Sequence, residues 1–164
     1  MRKTLAAAIG ALSVAAAISG AGLAAATARP ASPQIEHFQS MTTSATSTSL
    51  SLIATGVFTA GGVHVPTGAT TDTFKFPGGT IKLRHHPVRS TQTVNSRTCL
   101  FTARELGTYK LTGGTGKYAR ISGSGTYAAS ILAVLARNSR GKCSMTLTPA
   151  AFQFVINGQG PVKL

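Results

Sequence analysis

The chain has 164 residues, of which 16 are lysine or arginine and only three are aspartate or glutamate, so its formal net charge is +13. This length allows one domain with a hydrophobic core but argues against two domains. Glycoside hydrolysis by paired carboxylates is disfavoured, because Asp72 and Glu105 would have to form the pair with no other acid near either of them.

Residues 1–28 have the pattern of a secretory signal peptide. Arg2 and Lys3 supply the positive start, an alanine-rich apolar run begins at Leu5, and Ala26–Ala28 offers a small-residue cleavage site. The alternative is a retained membrane anchor, but alanine and glycine partition into lipid less well than leucine or isoleucine. We therefore expect cleavage, no transmembrane segment in the mature chain, and a secreted, extracellular protein.

A strong positive charge remains after cleavage. Residues 29–164 keep 14 of the 16 basic residues and all three acids, which gives a formal net charge of +11. Such a chain is attracted to anionic surfaces, which for an exported protein include the acidic polymers of a cell wall. We expect association with such a polymer, whereas no pattern indicates specific binding of nucleic acid.

Residues 29–49 are rich in serine, threonine, proline and alanine and contain few large apolar groups. We expect a flexible tether here, because the segment cannot bury enough apolar surface to order itself. Only its residues 35–38 could dock on the domain that follows, which we place at residues 50–164.

Short alternating runs, separated by glycine or proline, follow from residue 50 onwards. They predict antiparallel strands, with reversals at Gly61–Gly62 and Pro77–Gly79. The predicted strands are Leu50–Ala60, Val63–Val65, Thr73–Phe76, Thr80–His86, Arg97–Arg104, Cys143–Leu147 and Ala151–Ile156.

The clearest alternation lies in residues 80–86. It puts His85 on the same face as Ile81 and Leu83, while His86 lies on the opposite face with the basic residues. The two adjacent histidines therefore cannot chelate one metal ion as a pair. An inward histidine is more often a hydrogen-bonded core residue than a catalyst, but His85 is the best acid–base candidate in the chain.

The segment Gly107–Tyr127 reads GTYKLTGGTGKYARISGSGTY. Its glycine clusters at Gly113–Gly116 and Gly123–Gly125 predict two reversals. The run GGTGKYA followed by SGSGTY resembles the hairpin signature of the allene oxide cyclase and dirigent barrel group. It resembles still more closely small, uncharacterised secreted proteins of actinobacteria with that barrel. The resemblance implies an all-β fold: a single antiparallel eight-stranded β-barrel with an apolar interior, whether hollow or filled with side chains.

The function implied by this resemblance differs from the one that the residues favour. In enzymes of that group, acidic and polar side chains inside the barrel handle a reactive intermediate. An isomerase, a cyclase or a dirigent-type stereochemical guide is therefore the alternative function. The candidate ligand-binding residues for it are His85, Arg104, Tyr109 and Tyr127.

The run Thr126–Ala136 is apolar on both faces if it is a strand, and its periodicity suits a buried helix equally well. The glycine-rich segment before it and the β-rich surroundings favour a strand covered on both sides. Helix remains the alternative.

Cys99 and Cys143 are the only two cysteines. In an exported chain they predict one disulfide, with two free buried thiols as the alternative. Two cysteines that bond each other leave only scattered histidines, so we expect neither a metal site nor a cofactor.

Basic side chains in two places can be interpreted either as structural or as functional. Arg104 precedes Glu105, which suggests either an ion pair at a strand end or a position at the barrel mouth where Arg104 or Glu105 contacts a ligand. Arg137, Arg140 and Lys142 form the densest cluster, which is either a solvated turn or a patch that binds an anionic surface.

No complete catalytic constellation is visible in the sequence. Gly113–Lys117 lacks the first glycine and the final hydroxyl residue of a phosphate-binding loop, and no GxSxG elbow occurs. The sequence therefore favours a secreted basic barrel that binds a small apolar ligand or an anionic envelope component without catalysis.

Overall fold

Eight antiparallel strands close into a barrel in the computed structural model, which describes residues 34–164. Each strand pairs with the next one along the chain, and the last pairs with the first. The strands are β1 (Ile35–Thr42), β2 (Leu50–Thr55), β3 (Ala60–Gly68), β4 (Thr71–Phe76), β5 (Gly79–Asn95), β6 (Leu100–Gly114), β7 (Ser122–Val134) and β8 (Ala151–Lys163). The predicted fold class, an all-β eight-stranded antiparallel barrel, is confirmed.

The barrel wall is taller on one side than on the other. Strands β5 to β8 have 13 to 17 residues, whereas β1 to β4 have 6 to 9. The extra length lies at the end where residues 96–99 and 135–150 connect the long strands, which we call the open end. At the opposite, closed end lie residues 56–59 and a 3-10 turn, Gly116–Tyr118.

Aromatic rings fill the closed end. The Tyr118 ring, whose residue is only 1% exposed, has its centroid 5.1 Å from that of Phe58 and 5.5 Å from that of Phe76. Phe38 and Phe74 form the next layer, with their centroids 5.1 Å apart. The barrel is therefore plugged at this end, and any interior space lies towards the open end.

Strand β1 corrects the expected tether. Residues 35–42 pair with both β2 and β8, and Glu36, Phe38 and Ser40 point into the barrel. The prediction of a flexible segment over 29–49 is thus wrong for these residues. Two of the three inward side chains are polar, so apolar alternation could not mark the strand. The expected signal peptide at 1–28 lies outside the described residues.

Strand β7 settles the ambiguity at Thr126–Ala136. Residues 122–134 pair with both β6 and β8, so the helix alternative is wrong. Gly123–Gly125 lie inside this strand, so the second predicted reversal is wrong. The outward Leu132 is 47% exposed, so nothing in residues 34–164 covers that face.

The disulfide between Cys99 and Cys143 is confirmed, with the two Cα atoms 5.3 Å apart. It joins the β5–β6 connection to the β7–β8 connection and so ties together the two tall hairpins. Residues 143–147 do not form the predicted strand, because only one isolated bridge, Arg137 to Cys143, forms there. Among residues 34–164 no helix is long and apolar enough to cross a bilayer.

Candidate functional site

A cavity of about 250 Å³ lies inside the barrel, between the aromatic plug and the open end. Its walls are mostly apolar, and all eight strands of the barrel contribute to them. Apolar members of the wall are Phe38, Leu50, Phe74, Leu83, Ala129 and Ile156. The interior is therefore neither fully hollow nor fully filled.

A chain of polar side chains crosses one wall of the cavity. The Ser40 Oγ lies 3.0 Å from His64 Nδ1, and His64 Nε2 lies 3.2 Å from Asp72 Oδ1. Asp72 Oδ2 in turn lies 2.8 Å from His85 Nδ1. The His64–Asp72 contact is at ion-pair distance but off the line of a well-formed hydrogen bond. All four residues line the cavity.

The strand order explains this cluster. Strand β4 lies between β3 and β5, so the inward Asp72 can reach His64 on one neighbour and His85 on the other. A carboxylate only accepts hydrogen bonds, so both histidines turn an N–H towards Asp72. His64 Nδ1 is then left to accept the Ser40 hydroxyl. Two hydrogen bonds, Ser40 to His64 and His85 to Asp72, and the ion-pair contact between His64 and Asp72 therefore connect the four side chains.

The charge of Asp72 is supported by its neighbours. Burial alone would raise the pKa of Asp72, but the contacts with His64 and His85 outweigh burial and hold that pKa below its ordinary value. Asp72 is therefore a carboxylate at neutral pH although it is only 7% exposed.

A second polar pair lines the cavity beside His85. The Tyr127 hydroxyl donates a hydrogen bond of 2.7 Å to Glu105 Oε1. Burial, and then the hydrogen bond and negative charge of Glu105, raise the pKa of Tyr127 well above its ordinary value. Gly107, the cross-strand partner of Tyr127, leaves room for the ring, because a Cβ at this position would collide with it.

Other buried polar groups of the barrel interior lack hydrogen-bond partners, among them the Tyr118 hydroxyl in the aromatic plug. The Tyr109 hydroxyl and Glu36 Oε1 are both buried without a hydrogen-bond partner, while Glu36 Oε2 accepts the Phe58 N–H at 3.1 Å. Burial, and then the nearby Glu36, raise the pKa of Tyr109 to about 12. Burial also raises the pKa of Glu36, although the Phe58 N–H opposes this rise.

Charge is separated by sign between the two surfaces of the barrel wall. Glu36 and Asp72 are buried in the interior, and the half-buried Glu105 lines the cavity. Of the 16 basic residues, Arg2, Lys3 and Arg29 lie outside the described chain, and the remaining 13 are all exposed. The interior therefore carries the negative charge and the exterior the positive charge.

Three of the four predicted ligand-binding residues meet in the cavity: His85, Tyr109 and Tyr127. Arg104 is exposed on the outer face of β6, and it forms no ion pair with Glu105, which points inward. The interpretation as an ion pair is therefore wrong, and of the two residues only Glu105 lies where a ligand in the cavity could contact it.

Sequence reasoning missed Ser40, His64 and Asp72 as members of the site. The sequence did contain a signal for Asp72: it precedes Phe74 and Phe76 at a spacing of two and so shares their inward face. Ser40 lay in the segment interpreted as a tether.

One member of the basic cluster in the β7–β8 connection, Arg137, is engaged in hydrogen bonds within the protein. The Arg137 guanidinium donates hydrogen bonds of 2.6 Å to the carbonyl oxygens of Gly141 and Arg97, so it holds the connection in shape. Arg140 and Lys142 are exposed on the same connection.

The Ser40, His64 and Asp72 chain has the composition of a hydrolytic triad but not its surroundings. Ser40 lies in the middle of β1, where the backbone pairs with Leu52 on one side and Ile156 on the other. The backbone N–H groups beside it are thus engaged in the sheet, and an oxyanion hole needs free donors. Within residues 34–164 no group of three histidine, cysteine or acidic side chains is arranged to hold a metal ion.

Comparison of the chain with protein-family models, with curated proteins and with solved structures finds no match, so the functional argument depends on the geometry.

Proposed function

We propose that this protein is exported and binds a small, largely apolar ligand inside its barrel. The observation that supports this most strongly is the cavity of about 250 Å³, which is walled by apolar side chains yet contains an ordered set of polar groups. Ligand pockets combine apolar walls with a few placed polar groups in this way. The volume lies just below their usual range of about 300–1,000 Å³, which favours a compact ligand.

The tall wall provides an approach to the cavity. Phe101, Ile131 and Phe152 lie on the inward face of β6, β7 and β8 beyond the cavity, and all three are half-buried. They extend the apolar surface of the cavity towards solvent. A ligand longer than the cavity could rest its outer part on this surface.

Export is supported by two features. The Cys99–Cys143 disulfide is of the kind that persists in oxidising compartments, and the sequence begins with the pattern of a signal peptide. Mass spectrometry of the protein recovered from culture medium would test this. Export with cleavage gives a first residue near Arg29, whereas a cell-retained chain that still begins at Met1 would contradict it.

Binding can be measured by titrating ¹⁵N-labelled protein with benzene, indole and naphthalene. We expect saturable shifts of amides in cavity-lining residues. Ala129→Leu should abolish them, because Ala129 is 8% exposed and its side chain faces the cavity. Ala128→Leu, on the other face of β7, is the matched control and should bind normally. Shifts that never saturate, or that persist in Ala129→Leu, would exclude cavity binding.

The outer surface favours a second binding function, for anionic polymer. The only salt bridges among residues 34–164 join Asp72 to histidines, so none of the 13 exposed lysine and arginine side chains is paired with a carboxylate. Unpaired charge of one sign attracts a polyanion through long-range electrostatics.

Chromatography on dextran sulfate tests this second function. The protein should be retained at low salt and should elute before the salt concentration reaches about 1 M, where the Debye length is about 3 Å. The double variants Arg140→Ala/Lys142→Ala and Lys75→Ala/Lys82→Ala remove equal charge. Equal loss of retention in the two assigns binding to the whole surface, and a larger loss in the first assigns it to the β7–β8 connection. Retention that does not depend on salt would refute the electrostatic mechanism.

A further inference from the structure

We propose that the cavity also transfers protons: His85, oriented by Asp72, serves as the general base and acid towards a small, largely apolar carbonyl compound, and the Tyr109 hydroxyl binds the carbonyl oxygen. This proposal rests on the proposed ligand-binding function of the same cavity. It assigns a reaction class to polar groups that simple binding of an apolar ligand leaves without a role.

The base is defined by its hydrogen bond to Asp72. The 2.8 Å contact from His85 Nδ1 to Asp72 Oδ2 fixes the proton of the neutral ring on Nδ1. The lone pair of Nε2 is then free, and no side chain in the described structure contacts it as a hydrogen-bond partner. The His85 side chain is 21% exposed and lines the cavity, so a ligand there can reach it.

His85 differs from His64 and His86 because it has a ring nitrogen that is available inside the cavity. His64 has both ring nitrogens directed at Ser40 and Asp72 and is 4% exposed. His86 faces outward from β5. His85 is therefore the one histidine of the Asp72 cluster with a nitrogen available to a ligand.

The hydrogen-bond donor lies on the neighbouring strand. His85 and Tyr109 are direct cross-strand partners in the β5–β6 register and both face the cavity. Facing residues of an antiparallel pair have Cβ atoms about 4.5–5.5 Å apart. The Tyr109 hydroxyl is buried without a partner, and it stays protonated at neutral pH. A buried donor without an acceptor is costly, and a ligand carbonyl oxygen would satisfy it.

These groups together perform enolisation. The Nε2 lone pair of His85 takes a proton from the carbon next to the carbonyl group, the C–H electron pair forms a C=C bond, and the carbonyl π pair moves to oxygen. The Tyr109 hydroxyl donates to that oxygen, and Asp72 stabilises the imidazolium ring. Return of a proton to the same carbon gives exchange, and return to a conjugated carbon gives isomerisation. No oxidant or reductant is needed.

The other charged groups that face His85 have defined roles. From β3 and β4 come His64 and Asp72, and from β6 and β7 come Glu105 and the Tyr127 ring, whose centroid lies 5.8 Å from that of His85. Glu105 accepts the Tyr127 hydroxyl. Asp72 is a positioning residue, because it acts on the ligand only through His85.

Deuterium exchange of cyclohexanone provides the test. The ketone is incubated with the full exported chain in D₂O at neutral pD, loss of its α-proton signals is followed by ¹H NMR, and binding is read from amide shifts of the protein. We expect exchange faster than that given by free imidazole at the same concentration. His85→Ala should lower the rate by about 10²-fold. Tyr109→Phe should lower it by roughly 10²-fold while the ketone still binds.

Matched variants separate chemistry from folding. His86→Ala changes the adjacent, outward histidine and should exchange at the wild-type rate. His85→Gln replaces His85→Ala if the latter does not fold. For Asp72→Asn, the ¹⁵N shifts of the His85 ring should show loss of the single Nδ1–H tautomer together with slower exchange, and Asp72→Glu should restore part of both.

Each outcome decides between the proposals. Cyclohexanone that binds without exchange beyond that of imidazole, or exchange that survives in both His85 variants, overturns the proton-transfer proposal and leaves ligand binding intact. A cavity that takes benzene but not cyclohexanone overturns the carbonyl assignment. If neither compound binds, the proposed ligand-binding function is refuted as well.

Discussion

Asp72 and Glu36 are both buried carboxyl groups on inward faces, but they differ in their partners. Asp72 contacts two histidine rings, whereas only one oxygen of Glu36 accepts a hydrogen bond. Their pKa values accordingly move in opposite directions, down for Asp72 and up for Glu36. Each therefore makes stability depend on pH with its own sign.

Asp72→Asn should remove stability at neutral pH. Because the pKa of Asp72 is lower in the folded state, its contribution is present above the unfolded pKa of about 3.9 and is lost as pH falls through the folded value. The variant should be about 2 kcal/mol less stable at pH 7, and the difference should shrink towards pH 2. Urea unfolding across this range measures it, and parallel curves for the two proteins would show that Asp72 is not ionised in the fold.

Glu36→Gln should have the opposite effect. The raised pKa of Glu36 means that the protonated form fits the fold better, so this stability is present at low pH and is lost as pH rises through the folded pKa. The variant should match the wild type near pH 3 and exceed it at pH 7 by roughly 1 kcal/mol. A variant less stable than the wild type at pH 7 would mean that the Glu36 charge is stabilised by contacts other than the Phe58 N–H.

Gly107→Ala tests how closely β6 and β7 fit around the site. A Cβ at Gly107 would meet the Tyr127 ring and the His86 carbonyl oxygen, so we expect a loss of about 2 kcal/mol and displacement of Tyr127 from Glu105. Gly61→Ala is the control, because no atom lies within 4 Å of its added Cβ. Thermal unfolding should separate the two variants, and equal melting temperatures would contradict the close packing.

At the scale of the elements, the sequence predicted a strand correctly where its inward residues are mostly apolar and missed one where they are mostly polar. Strand β5 was predicted from Ile81, Leu83 and His85 because two of these three inward residues are apolar and the outward ones are basic. Strand β1 was missed because its inward Glu36 and Ser40 are polar, and their hydrogen-bond partners, Phe58 and His64, lie 22 and 24 residues further along the chain. A pattern of polarity cannot show which polar residue is paired in the fold.

In the candidate site, local patterns likewise could not show which residues of different strands meet. His85 was identified from alternation alone, but its partner Asp72 requires the register between β4 and β5, which no local pattern contains. The same holds for the pair of Tyr127 and Glu105, which the β6–β7 register brings together. Alternation predicts which way a residue faces, and barrel closure decides what it meets there.

At the scale of the whole molecule, barrel closure explains both proposed binding functions. Closure gives each strand one inner and one outer face, and the three acids lie inside while the 13 described basic residues lie outside. An aromatic plug at one end and a tall, disulfide-tied wall at the other leave a single direction of approach to the cavity. The cationic exterior can therefore hold a polyanion while the interior holds an apolar ligand.

Xenon binding tests the central claim, an accessible apolar cavity, most directly. Apolar protein cavities take up xenon, so a crystal of the protein pressurised with the gas should show one ordered xenon atom among Phe38, Phe74 and Leu83. The same experiment on Ala129→Leu should show the atom displaced or absent. Wild-type crystals with no xenon inside the barrel, or with xenon bound only on the outer surface, would contradict the account.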